Sequence, residues 1–73
     1  VVHGPLLATM MVGLAARSRP DRDVARFEFR GHRPVVDTER FEVCGRPDGA
    51  DAMAVWVANG DGLLAMRGRT EFR

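Results

Sequence analysis

The sequence predicts an α+β domain in which one central, buried helix is covered by an antiparallel sheet of about four strands. Three observations predict it. Residues 6–16 form a nearly unbroken apolar run, later segments alternate apolar and charged side chains with a period of two, and clusters of turn-forming residues separate them. The chain has 73 residues, enough for a single small domain over 1–73 and too few for two. With 45% hydrophobic and 29% charged residues it has the balance of a folded chain rather than a disordered one. So short a chain buries little core alone, and a partner surface is therefore expected.

Pro5 lacks a backbone donor and has a helix-compatible φ, so it suits the first helical position, with Gly4 or His3 as the cap. The spacing predicts a helix over 6–17. Only Thr9 and Gly13 interrupt its apolar side chains up to Ala16, which leaves no wide polar face and implies protein on all sides. Thr9 and Gly13, four apart, make a small-residue stripe for close approach of a sheet or a second helix. Arg17 and Arg19 complement the negative end of the helix dipole, and Pro20 ends the helix.

Residues 24–30 place Ala25, Phe27 and Phe29 on one face of a strand and Arg26, Glu28 and Arg30 on the other. A second strand follows the Pro34-containing connection, with Phe41 and Val43 opposite Arg40, Glu42 and Cys44. Pro47, Asp48 and Gly49 form a turn. A third strand over 52–58 carries Met53, Val55 and Val57 on one side and Trp56 on the other. Asn59, Gly60, Asp61 and Gly62 tolerate positive φ and close a hairpin to a fourth strand over 63–72. There Leu64, Met66, Thr70 and Phe72 share a face opposite Arg67, Arg69 and Glu71, and Gly68 leaves room for a close neighbour. The expected layout is a helix followed by a meander, with Phe27, Phe29, Phe41, Val43, Met66 and Phe72 turned toward the helix.

Eleven basic residues, all Arg, against ten acidic ones leave a net charge of +1, too little to gather nucleic acid or an anionic membrane. The apolar N-terminal run is broken by His3, Gly4 and Pro5, so it does not read as a membrane span, and nothing basic precedes it as in a signal peptide. Cys44 is the lone cysteine, no His/Cys spacing suits zinc, and a reducing cytoplasm fits best. The aspartates at 37, 48, 51 and 61 fall in turns rather than in a metal site, and no cofactor is expected. Arg26, Arg30, Arg40, Arg67 and Arg69 could meet phosphates, but Glu28, Glu42 and Glu71 on the same faces favour cross-strand ion pairs.

The segment from Val1 to Thr9, VVHGPLLAT, together with RFEFR at 26–30 and LAMR at 64–67, resembles the MaoC-like acyl-CoA dehydratases. Within that family it is most similar to the branch of mesaconyl-C4-CoA and itaconyl-CoA hydratases and 3-hydroxyacyl-thioester dehydratases. The resemblance implies a hot-dog fold, here a partial one, and reversible hydration of an enoyl thioester. It also implies an acyl-CoA substrate and association as a homodimer or with another hot-dog chain. The family's thioester carbonyl sits at the start of the central helix, where free amides and the dipole stabilise enolate charge.

That place is His3-Gly4-Pro5, which makes the Gly4 N–H the carbonyl donor and gives His3 an orienting role. The family's catalytic Asp or Asn and His precede this segment, and no residue of these 73 matches them. The chain is thus expected to be a fragment, or to use an alternative start, and to be inactive alone. A non-catalytic remnant that pairs with a full-length homologue is one alternative, and a hot-dog thioesterase another. His32 reads as a solvated loop histidine, Cys44 as an inert thiol, and Trp56 as core or interface.

Overall fold

The computed structural model describes residues 4–33, 35 and 40–73. His3 and Asp37 lie outside the described residues. Helix α1 (Gly4–Ser18) is followed by β1 (Val24–Gly31), β2 (Glu42–Pro47), β3 (Ala52–Ala58) and β4 (Leu64–Phe72). All pairings are antiparallel, and the four strands form one open sheet in the order β1-β4-β3-β2. The fold is α+β, a helix on an antiparallel sheet, consistent with a partial hot-dog fold.

The helix begins at Gly4, two residues before the apolar run suggests, because glycine and Pro5 both accept the first-turn positions where no intrahelical donor is needed. It lays Leu7, Met11 and Ala15, successive residues of one i, i+4 stripe, on the sheet. Met53, Val55 and Val57 of β3, Met66 and Phe72 of β4, and Val35 from the connection complete the core. Gly45 brings β2 under the helix, since a Cβ there would lie 3.3 Å from a Leu14 methyl and 3.1 Å from the Met53 methyl.

Several expectations change. The strands are not a simple meander: β2, β3 and β4 follow one another, but β1 pairs with β4, so 32–41 link opposite edges of the sheet. Among the described residues the helix is covered on one side only, and Leu6 (54%) and Met10 (38%) remain exposed, because a single sheet layer cannot surround a helix. The Thr9–Gly13 stripe lies away from the sheet; Thr9 is exposed, and a Cβ on Gly13 would meet only the Arg17 side chain. Phe29 is half exposed, because β1 is an edge strand and the helix lies chiefly over β2 and β3. Its ring stacks on Phe27, with centroids 5.7 Å apart.

Bulges reset two faces. A shift between Val24 and Arg26 turns Val24, not Ala25, to the core. A second shift beside Ala58 puts Leu64 on the outward side with Ala58. Gly68 does admit a close neighbour: a Cβ there would fall 2.8 Å from the Glu28 carbonyl oxygen and 3.1 Å from the Phe27 ring. Gly49 and Gly62 take the expected turn positions, with φ of 85° and 79°, but Pro47 is the last residue of β2, paired with Met53, so the first turn begins only at Asp48. Asn59 Oδ1 accepts from the amides of Asp61 and Leu63, both at 3.0 Å.

At the far end of the sheet, Arg19 and Arg22 tie the α1–β1 turn to the β2–β3 turn. Both donate to the Ala50 carbonyl, at 3.0 and 3.1 Å, and both guanidinium groups lie within 5.9 Å of the Phe72 ring centre. Arg22 also pairs with Asp51 at 2.8 Å. Replacing Arg22 with Ala is expected to cost about 1–2 kcal/mol in urea unfolding, whereas Arg17→Ala, on the exposed helix end, should stay within about 0.5 kcal/mol.

Two core substitutions should move stability in opposite directions. Met11→Ala empties a fully buried site and is expected to cost about 2–4 kcal/mol, a large share of the stability of so small a domain. Thr70 is fully buried and its Oγ1 has no hydrogen-bond partner among the described residues. Thr70→Val keeps the shape and removes the unpaired hydroxyl, so a gain of up to about 1 kcal/mol is expected in the same measurement.

Candidate functional site

The start of α1 leaves two backbone donors, the amides of Gly4 and Leu6, without acceptors among the residues of α1, since Pro5 has none. No acidic residue sits in this first turn to neutralise the positive end of the dipole. The Met66 methyl lies beside this helix start: Cβ atoms built on Gly4 and Gly31 would approach it to 3.8 and 3.9 Å. Gly31 and Met66 are cross-strand partners on β1 and β4. Just beyond, the amides of His32 and Arg33 both donate to the Ala65 carbonyl, at 2.7 and 3.0 Å. The beginnings of α1 and β4 and the end of β1 therefore meet at one place.

Gly4 is half buried there, with an ordinary negative φ and ordinary contact distance around the position of a Cβ. Neither its backbone conformation nor packing among the described residues demands glycine. The arrangement offers aligned amides beside an apolar wall, which suits a carbonyl oxygen that gains negative charge. His3, the other residue singled out from the sequence, lies outside the described residues. His32 is exposed, as expected, but the chain brings it to this same end of the sheet. Gly31 and Met66 were not legible as neighbours of Gly4, because their approach depends on β1 pairing with β4.

Among the described residues no group of three His, Cys, Asp or Glu side chains could hold a metal ion. No helix among them is long and apolar enough to cross a membrane. Cys44 is a half-buried free thiol, opposite Trp56 on the neighbouring strand. The ion pairs differ from the cross-strand expectation. Arg26 pairs with Glu28 and Arg69 with Glu71 along single strands, and Arg69 also reaches Asp48 in the β2–β3 turn. Arg30, Arg46 and Arg67 have no carboxylate partner among the described residues. Arg46 and Arg67 flank an open hollow of about 540 Å³ on the outward face of the sheet.

The fold defines the class first: one helix on a four-stranded antiparallel sheet, consistent with a partial hot-dog fold. No protein-family model matches the chain. It is similar to the mesaconyl-C(4)-CoA hydratase of Chloroflexus aurantiacus, 35% identical over 71 residues, which are 97% of this chain and 25% of that protein. The chain thus spans about a quarter of the length of the curated relative it matches.

The contrast between two glycines is testable by thermal unfolding. Gly4→Ala should be tolerated, within about 1 kcal/mol and in the stabilising direction, because the added methyl meets ordinary contact at the helix start. Gly68→Ala should cost about 1–3 kcal/mol, because its Cβ would collide with the Glu28 carbonyl and the Phe27 ring.

Proposed function

We propose that this chain is a segment of an acyl-CoA hydratase or dehydratase, and that its contribution to the reaction is the thioester carbonyl site at the start of α1. The observation that carries the reading is the similarity to the mesaconyl-C(4)-CoA hydratase over nearly the whole chain. The geometry at Gly4 supports it. The substrate class is an enoyl-CoA thioester of the mesaconyl-C4 kind, and the compartment is the cytoplasm.

In the hydration direction, water adds its oxygen to the β-carbon and a proton is delivered to the α-carbon. The electron pair of the double bond passes transiently onto the thioester oxygen. The Gly4 N–H donates to that oxygen, the Leu6 amide and the helix dipole add to the positive field, and the Met66 side keeps the oxygen in an apolar setting. The missing side chain at Gly4 lets the thioester approach. His3 orients the turn. A base for the water and an acid for the α-carbon are still required, and the Asp or Asn and His that fill these roles in the family have no match in these residues.

The 73-residue chain alone should therefore not hydrate crotonyl-CoA or mesaconyl-C4-CoA at a measurable rate when enoyl absorbance is followed. Positioned acid/base groups are worth about 10² to 10⁴ in rate each. Fused behind a family-type upstream segment that carries the Asp and His, it should turn over. In that fusion Gly4→Ala should lower kcat by about tenfold or more, with folding unchanged, because the methyl obstructs the carbonyl. Robust hydration by the chain alone would overturn the assignment of roles.

The partner expected from the chain's small size is a second copy, or another hot-dog chain, seated on the uncovered side of α1 at Leu6 and Met10. Sedimentation at micromolar concentration should show association that Leu6→Glu with Met10→Glu abolishes. A stable monomer before substitution would count against pairing.

A further inference from the structure

The outward face of the sheet carries an electrostatic arrangement that the hydratase reading does not use. Along one row across the strands, Cys44, Trp56, Arg67 and Arg30 are consecutive partners. Arg67 and Arg30 thus lie directly opposite each other, a like-charge pair that weakens an antiparallel ladder unless something anionic lies between. On this face Glu28 is taken by Arg26, while Arg69 is taken by Asp48 and Glu71. Arg46, from β2, adds a further guanidinium without a carboxylate partner among the described residues.

These groups border two adjoining hollows that share Arg67 and Gly68. One, about 540 Å³, has Ala54, Trp56 and Ala58 as its floor with Arg46 and Arg67 beside it. The other, about 330 Å³, is lined by Arg30, Arg67 and Arg69 together with Phe29 and Glu28, whose carboxylate pairs with Arg26. Arg guanidinium groups bind phosphate oxygens through paired N–H donors, and an indole beside them gives a flat apolar surface for a ring. The larger volume is that of a small-molecule site.

We propose that this face binds the nucleoside diphosphate group, with its ring in the Trp56 hollow and its phosphates between Arg46, Arg67 and Arg30. The proposal does not rest on the hydratase reading. The group could come from a free nucleotide or from the nucleotide end of a CoA thioester, and the two are separable by experiment.

Trp56 is the sole tryptophan, so its fluorescence reports on the hollow directly. Titrating the full chain with ADP and, separately, with CoA should give saturable quenching. Tighter binding of CoA than of ADP assigns the site to a CoA thioester, and equal or weaker binding assigns it to a free nucleotide. Arg67→Gln and Arg46→Gln should each weaken binding by about fivefold or more, and Arg17→Gln, on the helix, should not. Arg67→Gln should also raise Tm, because it relieves the repulsion from Arg30. The proposal is overturned by the absence of saturable quenching up to about 1 mM, or by equal weakening in Arg17→Gln. It is overturned equally by a fall in Tm for Arg67→Gln, or by an oligoglutamate peptide binding as tightly as ADP, which would make the face a docking surface for acidic protein.

Discussion

Leu7, Met11 and Ala15 can leave water only by lying on the Met53, Val55 and Val57 face of β3, and most of the structure follows from that contact. It puts β3 in the interior of the sheet, where a strand with apolar side chains on both faces is least exposed. It also requires a close approach at β2, which Gly45 permits by leaving room for Leu14. The same constraint decides what stays uncovered. One helix and one sheet layer leave Leu6 and Met10 in solvent and leave the outward sheet face to arginines and Trp56.

A second close approach works at the other edge. Gly68 on β4 has no side chain, and Phe27 of β1 lies over the space, which seats β1 beside β4. That pairing carries Gly31 to Met66 and so to the start of α1, and it sets Arg30 opposite Arg67. One strand placement thereby shapes the apolar wall of the helix-terminal site on one face and the basic row on the other. The two faces are chemically separate: aligned amides and a methyl near Gly4, guanidinium groups and an indole around Trp56.

Much of this was legible in the residues. The apolar run with Pro5 near its start and Pro20 beyond its end marks α1 to within two residues, because proline at these positions acts locally. The two turns are equally local: Gly49 and Gly62 adopt positive φ, and Asn59 closes its own loop. Period-two alternation identifies β1, β2 and β4 and most of the core face of β4, while β3, apolar on both faces, is marked by the turns that bound it.

The rest belongs to contacts between residues far apart in the chain. Alternation states which face of a strand is apolar but not which strand lies beside it, so β1 next to β4 had no local signal. The bulges at Ala25 and beside Ala58 shift the parity of a face by one residue, so they moved Val24 inward and Leu64 outward against the simple count. Phe29 reads as core from its spacing to Phe27, yet it is half exposed because it sits on an edge strand away from the helix. Helix, strands and turns were determined by the sequence itself, through short-range sterics and periodicity. Strand order, the neighbours of Gly4 and the meeting of Trp56 with Arg67 were decided by the tertiary structure, because only packing of the helix and pairing across the sheet bring those residues together.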